Sequence, residues 1–150
     1  MRSLSVQSLT FFLLLCISLQ GQVLIDPATY LMWQDVPENK GTLHTWDEAK
    51  KYCEELEESS FDDWWLPSEK ELITIVDTSR SKGRMIQKGF IYFKPRYYWT
   101  ATTYSWNAPH AWAISFKNGI SISVEKEKQL HARCVRCSDF KLCIERFYDK

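Results

Sequence analysis

The chain has 150 residues, 19 basic and 19 acidic side chains, and 15% aromatic residues. Its length indicates one domain. A net charge of zero excludes a partner attracted by bulk charge alone, so any electrostatic recognition must come from local clusters.

The N-terminus has the pattern of a secretory signal peptide. Arg2 supplies a positive charge, residues 9–19 are almost unbroken apolar sequence, and small or polar residues follow. A bilayer span needs about 20 apolar residues, so this run is too short for an anchor. Cys16 suggests a lipid anchor, but the bulky Leu15 before it argues against one. We predict cleavage of residues 1–21 and a secreted or periplasmic protein without a membrane span, for which nucleic acid is not the expected partner.

Two strands and two helices are predicted first along the chain. Residues 22–26 and 28–35 read as strands joined by a turn signal at Asp26-Pro27. Thr45 with Glu48, and Ser68 with Glu71, have the spacing of capping boxes that begin helices. The predicted inward faces are Trp46, Ala49, Cys53 and Leu56 in the first helix, and Leu72, Ile73 and Val76 in the second.

Four later strands are predicted at residues 97–103, 110–116, 120–125 and 131–136. A three-residue hairpin loop, 117–119, with Gly119 in the left-handed region would give one uniformly apolar sheet face. It would set Trp112, Ile114 and Phe116 opposite Val124, Ile122 and Ile120. The order of elements predicts an α+β fold with an antiparallel sheet.

Four cysteines remain after the signal peptide: Cys53, Cys134, Cys137 and Cys143. In an oxidising compartment an even number predicts two disulfides, for which three pairings are possible. The alternative is a zinc site at Cys134-x-x-Cys137, which lacks a second paired motif. A redox motif would need a helix N-terminus, whereas the surrounding residues alternate like a strand. We expect structural disulfides and neither metal nor another cofactor.

The long segment between the second helix and the third strand carries a basic cluster. Residues 80–96 contain no acid and six bases, interleaved with aromatic residues, whereas residues 54–63 are acidic without a base. Both segments could be solvated faces that attract each other. Alternatively, the bases bind sulfate or phosphate while the aromatics stack on sugars. The predicted ligand-binding bases are Arg80, Lys82, Arg84, Lys88, Lys94 and Arg96, and the interleaved aromatics are Phe90, Tyr92 and Phe93.

A second candidate surface is the loop between the third and fourth strands. It contains Tyr104, Trp106, Asn107 and His110, outside the strand alternation. One interpretation is a packed loop with Trp106 tucked under it. The other is a platform of aromatic and amide groups that binds a glycan or a peptide.

Catalytic chemistry has little support in the sequence. The bases of near-neutral pKa are His44, His110 and His131, and His110 in its polar loop is the best candidate. No spacing ties it to a nucleophile or an orienting group. Calcium would need several converging oxygen ligands, and none can be assembled. We therefore expect no enzyme, with a cell-wall hydrolase acting through His110 as the least favoured alternative.

From residue 31 to residue 136 the chain resembles the Lcl C-terminal domain family of bacterial secreted proteins, named after a collagen-like adhesin. The resemblance rests on YLMWQD, TWDEAKKYCEEL, DWWLPSEKELITIVD, YYWTATTYS, AWAISFKNG and ARCVR, in that order. It implies a C-type-lectin-like fold, with two helices on a mainly antiparallel sheet and long irregular loops. It also implies a surface or periplasmic binding module, sulfated glycosaminoglycans being the ligands associated with the adhesin, and the disulfides Cys53–Cys134 and Cys137–Cys143.

The chain departs from the family pattern at two points that bear on which partners it could bind. Trp65 stands where relatives usually carry arginine, and the chain has no collagen-like stalk. Trp64 is expected in the core, whereas Trp65, if exposed, could touch a partner.

We expect a domain over residues 22–137, a tail over 138–150, and an exported non-catalytic module that recognises an extracellular glycan, a polyanion or a surface protein. The alternative is a periplasmic structural domain with no sugar ligand; the oligomeric state stays open.

Overall fold

The computed structural model describes residues 22–147, so the predicted signal peptide and Cys16 lie outside the described part. It confirms the predicted α+β class, with two antiparallel three-stranded sheets of order β1–β2–β6 and β3–β4–β5. The C-type-lectin-like fold implied by the resemblance stays a prediction. The strands are β1 (Gln22–Asp26), β2 (Leu31–Asp35), β3 (Tyr97–Thr103), β4 (His110–Ser115), β5 (Ser121–Glu125) and β6 (Val135–Cys137). The helices are α1 (Glu38–Gly41), α2 (Trp46–Glu54), α3 (Glu69–Leu72) with a 3-10 turn (Ile73–Ile75), and α4 (Phe140–Phe147).

One segment, residues 130–137, connects the two sheets. Leu130 bridges to His44, His131 bridges to Tyr98 of β3, and β6 then pairs with β2. The predicted strand 131–136 is therefore divided between two sheets, and only Val135–Cys137 has regular strand structure. Each of the two hydrophobic clusters contains residues from both sheets, and the segment contributes Val135 and Cys137 to one and Ala132 and Cys134 to the other.

The two predicted capping boxes are present. The carboxylate of Glu48 accepts a hydrogen bond from the Thr45 amide at 2.8 Å, and that of Glu71 accepts one from the Ser68 amide at 2.7 Å. Each box satisfies amides that lack an intrahelical partner in the first turn. As predicted, α2 buries Trp46, Ala49 and Cys53, and Leu56 packs partly buried just beyond it.

The second predicted helix is shorter than expected, and the predicted inward position of Ile73 is wrong. Ile73 is 48% exposed, whereas Leu72 and Ile75 are fully buried. Helical structure stops before Val76, whose backbone is extended at φ −76° and ψ 125°. Residues 73–76 are all β-branched, which disfavours a helix, and the Thr74 hydroxyl donates to the Glu71 carbonyl at 2.7 Å. The helix therefore tightens into a 3-10 turn.

The predicted register of the β4–β5 hairpin is also wrong. Ile114 pairs with Ser121, and the turn contains four residues, 116–119; the left-handed Gly119 is confirmed at φ +71°. Phe116 does not pair with β5, because its amide donates to the Arg96 carbonyl and its carbonyl accepts from the Met85 amide. The backbone groups of Phe116 therefore form hydrogen bonds with the long loop and not with β5, as the predicted register required.

Both disulfides implied by the resemblance are present, Cys53–Cys134 and Cys137–Cys143. The first ties α2 to the segment before β6, and the second ties β6 to α4 in the C-terminal tail. In residues 22–147 no helix has the length and apolar character needed to cross a membrane. The same residues contain no group of three or more His, Cys, Asp or Glu that could hold a metal ion.

Candidate ligand-binding surface

The long loop, residues 78–96, is held to the core by a buried ion pair. Asp35 at the end of β2 and Arg133 before β6 have fully buried side chains, with 3.1 Å between Oδ1 and Nη1. The Asp35 carboxylate also accepts hydrogen bonds from the amides of Ile91 at 2.8 Å and Tyr92 at 3.0 Å. Arg133 donates in turn to the Tyr92 carbonyl. The middle of the loop is therefore fixed by charged groups inside the protein.

Aromatic rings complete the environment of Arg133. Its guanidinium lies 4.7 Å from the centroid of the Phe90 ring and 5.9 Å from that of Tyr98. Burial lowers the pKa of Arg133, while the neighbouring Tyr98 and Asp35 act in the opposite direction. Sequence reasoning missed this pair because its members lie almost a hundred residues apart. The available signal was a charged residue in each of two mostly apolar stretches of the family motifs, LMWQD and ARCV.

Tyr98 holds the end of the loop. Its hydroxyl accepts a hydrogen bond from the Lys94 amide at 2.8 Å and donates one to the Asn39 carbonyl at 3.0 Å. Burial raises the pKa of this phenol, so it stays a neutral donor at physiological pH. Lys94 is thereby held against the core at its backbone while its side chain is exposed.

The first half of the loop lies against the 3-10 turn and the β4–β5 turn. The Gln87 amide donates to Ile75 at 2.9 Å, and the Gly83 amide donates to the Lys117 carbonyl at 2.7 Å. Gly83 has φ +93°, a conformation that a side chain would disfavour. Arg80 is half-buried and donates to the Ile86 carbonyl, so it stabilises the loop.

The other predicted basic residues point to solvent. Lys82, Arg84, Lys88, Lys94 and Arg96 are all exposed. Within the described residues none of these five is in an ion pair. The interleaved aromatics are placed differently: Phe90 is buried, Phe93 packs against the core, and half-buried Tyr92 lies under the Lys40 ammonium at 5.1 Å. These rings hold the loop in place and leave the cations as its outer surface.

Lys117 joins this group, although sequence reasoning did not single it out. It is exposed in the β4–β5 turn, and its carbonyl contacts the Gly83 amide, between Lys82 and Arg84. The neighbouring Phe116 amide contacts the Arg96 carbonyl at 3.1 Å. We call the exposed cations gathered by these contacts the basic surface: Lys82, Arg84, Lys94, Arg96 and Lys117.

The acidic segment 54–63 has another partner. The Asp63 carboxylate accepts a hydrogen bond from Arg136 of β6 at 2.8 Å, and this bond is the main reason why the pKa of Asp63 is lowered. The Arg136 guanidinium also lies 3.8 Å from the centroid of the Phe61 ring. No ion pair among the described residues joins segment 54–63 to the basic loop, so the proposed attraction between the two is not seen.

The loop that follows β3 presents Trp106 to solvent. The side chain is 87% exposed, which excludes the interpretation that it is tucked under the loop. Asn107 is also exposed, whereas Tyr104 is half-buried with its ring edge-on to Trp112 at 5.1 Å. His110 begins β4 opposite Glu125, and its Nδ1 is buried without a hydrogen-bond partner among the described residues.

The other two histidines pack against tyrosines. His44 stacks on Tyr52 at 4.8 Å, and His131 stacks on Tyr98 at 5.1 Å. Burial lowers the pKa of both imidazoles, so each is neutral at physiological pH. Their contacts are those of structural side chains.

The adjacent tryptophans both serve the core. Trp64 is 3% exposed, as predicted, and its indole nitrogen donates to the Phe61 carbonyl at 3.2 Å. Trp65 is half-buried against the core, and its indole nitrogen donates to the Glu71 carboxylate at 3.3 Å. A partner contact through Trp65 was expected only if this side chain were exposed, and it is half-buried.

Of two comparisons with known proteins, one identifies a family. A search among curated proteins finds no match. The family model described as the Lcl C-terminal domain matches residues 22–136, well over half of the chain. The match includes the buried ion pair, the basic surface and the Trp106 loop. The chain belongs to the Lcl C-terminal domain family.

Proposed function

We propose that this chain is an exported, non-catalytic binding domain whose basic surface recognises polyanions, foremost sulfated extracellular glycans. The observation that carries the proposal is a set of five exposed cations without ion-pair partners among the described residues. Four lie on the loop fixed by the Asp35–Arg133 pair, and Lys117 lies in the adjoining β4–β5 turn. Clustered charge of one sign raises the local concentration of an oppositely charged ligand even when the net charge is zero.

Rigidity of the loop favours binding. Association costs free energy when loops and side chains become ordered, and a loop already held by buried hydrogen bonds avoids part of that cost. The backbone contacts of Tyr92, Lys94 and Phe116 supply this order before any ligand arrives. Only the exposed ends of the lysine and arginine side chains still have to be immobilised.

Export and the lack of catalysis have separate support. Two disulfides are typical of proteins from oxidising compartments. Membership of this family suggests a non-catalytic domain. A hydrolase acting through His110 has less support, because its Nδ1 has no hydrogen-bond partner among the described residues. A structural domain without a sugar ligand is the remaining alternative.

Heparin binding at two ionic strengths tests the proposal. At low salt we expect the purified mature domain to bind, and Lys82→Ala/Arg84→Ala/Lys117→Ala to weaken binding by at least about tenfold, or about 1.4 kcal/mol. Wild-type affinity should fall steeply as salt shortens the screening length from about 10 Å at 0.1 M to about 3 Å at 1 M.

A charge-matched variant controls for the loss of three cations. Lys51→Ala/Lys70→Ala/Lys141→Ala removes exposed lysines of α2, α3 and α4, which are not part of the basic surface, and should bind as the wild type does. Equal weakening in both variants, or no binding of the wild type to any polyanion at low salt, would contradict the proposal. The latter result would favour the structural alternative.

A further inference from the structure

The loop of residues 104–109 presents one tryptophan in a fixed position. The amide of Tyr104 donates to the His110 carbonyl at 2.9 Å, and the amide of Asn107 donates to the Tyr104 carbonyl at 3.1 Å. The Lys126 amide donates to the Pro109 carbonyl at 2.9 Å and ties the loop to the end of β5. Within this ordered backbone Trp106 has the highest exposed fraction, 87%, of the large apolar side chains described.

Two charged side chains at the end of β5 make contacts within the protein. The Lys126 ammonium lies 4.2 Å from the centroid of the Trp46 ring. Glu125, the last residue of β5, pairs with Lys128 at 3.6 Å. The loop itself, YSWNAP, contains no Asp, Glu, Lys, Arg or His. The loop that carries Trp106 is therefore polar but contains no charged residue, unlike the basic surface.

We propose that Trp106 and Asn107 form a binding site for an uncharged saccharide. The face of an indole is electron-rich and attracts the weakly positive C–H bonds on one face of a pyranose ring. The Asn107 side chain offers a carbonyl acceptor and two N–H donors, which match sugar hydroxyl groups. Ligand sites commonly combine such an aromatic surface with a few polar groups that set orientation.

A saccharide fits this surface better than a protein. Protein-binding hot spots lie in apolar patches with a rim that excludes water. Of the large hydrophobic side chains exposed in residues 22–145, Trp106 is the one in this loop, and its neighbours Ser105 and Asn107 are exposed polar residues. An isolated aromatic ring among polar groups matches a ligand with one apolar face and a polar edge.

The saccharide site is independent of the proposed polyanion site. It lies before the first residue of β4, whereas Lys117 lies after the last, and six residues in a strand span about 17–20 Å. One sugar ring cannot contact both. Failure of heparin binding would therefore leave this inference intact, and failure of neutral sugars would leave the basic surface intact.

NMR titration of the 15N-labelled mature domain with cellotetraose, maltotetraose and tetra-N-acetylchitotetraose tests the site. We expect at least one of these neutral probes to shift the Trp106 indole N–H and the Asn107 side-chain resonances. Trp106→Ala should weaken that binding at least about tenfold, about 1.4 kcal/mol. Trp106→Phe, which keeps an aromatic face, should lose less affinity for the saccharide than Trp106→Ala.

Two controls make the result specific. Phe140→Ala removes another strongly exposed aromatic, 75% exposed in α4, and should bind the saccharide as the wild type does. Binding should change little between about 0.05 M and 0.5 M NaCl, because no ion pair forms. Absence of binding by all three probes, equal binding by Trp106→Ala, or a Trp106 shift with a proline-rich peptide alone would overturn the inference.

Discussion

The carboxylate of Asp35 and the guanidinium of Arg133 meet at 3.1 Å with both side chains fully buried, and together they bind the backbone of residues 91 and 92. This pair therefore connects two distant family motifs to the loop that presents the basic surface. A buried ion pair costs desolvation energy, which is offset here by hydrogen bonds to both partners.

Removing one member of this pair should destabilise the protein strongly. Asp35→Ala leaves a buried guanidinium and the amides of Ile91 and Tyr92 without their acceptor, and we expect a loss of about 3–5 kcal/mol in the free energy of unfolding. Urea denaturation measures it. Asp63→Ala is the control, because the Asp63 side chain is 57% exposed and its pair with Arg136 should contribute at most about 1 kcal/mol. Similar losses in both variants would show that the buried pair has no special role.

The two disulfides should contribute unequally. In the chain-entropy description, a crosslink between residues 81 apart in sequence stabilises by about 4.5 kcal/mol, whereas one between residues 6 apart gives about 2.4 kcal/mol. We therefore expect Cys53→Ala/Cys134→Ala to lower the melting temperature more than Cys137→Ala/Cys143→Ala. Calorimetry of both double variants, with non-reducing mass spectrometry to verify the remaining bond, checks the order. The reverse order would contradict it.

Stability should fall as the pH drops below 6.5. Burial lowers the pKa of His131 and of His44 below the value of 6.5 that each has when unfolded. In that range the unfolded chain binds more protons than the folded one, so the free energy of unfolding rises with pH and is fully recovered above 6.5. Denaturation at pH values above and below 6.5 measures the slope.

His131→Gln separates the contribution of His131 to the pH dependence of stability from the contribution of its packing to stability at every pH. The variant should be less stable at every pH, since it loses the stacking of His131 on Tyr98. Its stability should nevertheless depend less on pH than that of the wild type, with His44 supplying the remaining slope. An unchanged slope would show that His131 takes no part in the acid sensitivity.

A side chain at Gly119 should destabilise the protein. Its φ of +71° is unfavourable for alanine by about 1–2 kcal/mol. An added Cβ would also lie 3.1 Å from Val76 Cγ1 and 3.3 Å from Thr78 Cγ2. Gly119→Ala should therefore cost at least about 1–2 kcal/mol by chemical denaturation. Gly41→Ala is the matched control, because an added Cβ there would have nothing within 4 Å, and it should not lower stability.

The features that the sequence predicted by itself are those governed by neighbouring residues. The caps at Thr45 and Ser68 and the left-handed Gly119 depend on a few consecutive side chains and were predicted correctly. The α+β class followed from the order of local patterns, and an even cysteine count in a chain predicted to be exported indicated two disulfides. Their pairing came from the family resemblance, since count and spacing leave three arrangements open.

Tertiary structure decided what depends on distant parts of the chain. The β4–β5 register shifted because Phe116 pairs with Met85 and Arg96, and no local pattern in the hairpin shows that competition. Lys117 reached the basic surface through the same contacts. The burial of Asp35 beside Arg133 has the same origin, because a charged side chain can enter a core only where a distant residue supplies its opposite charge and its hydrogen bonds.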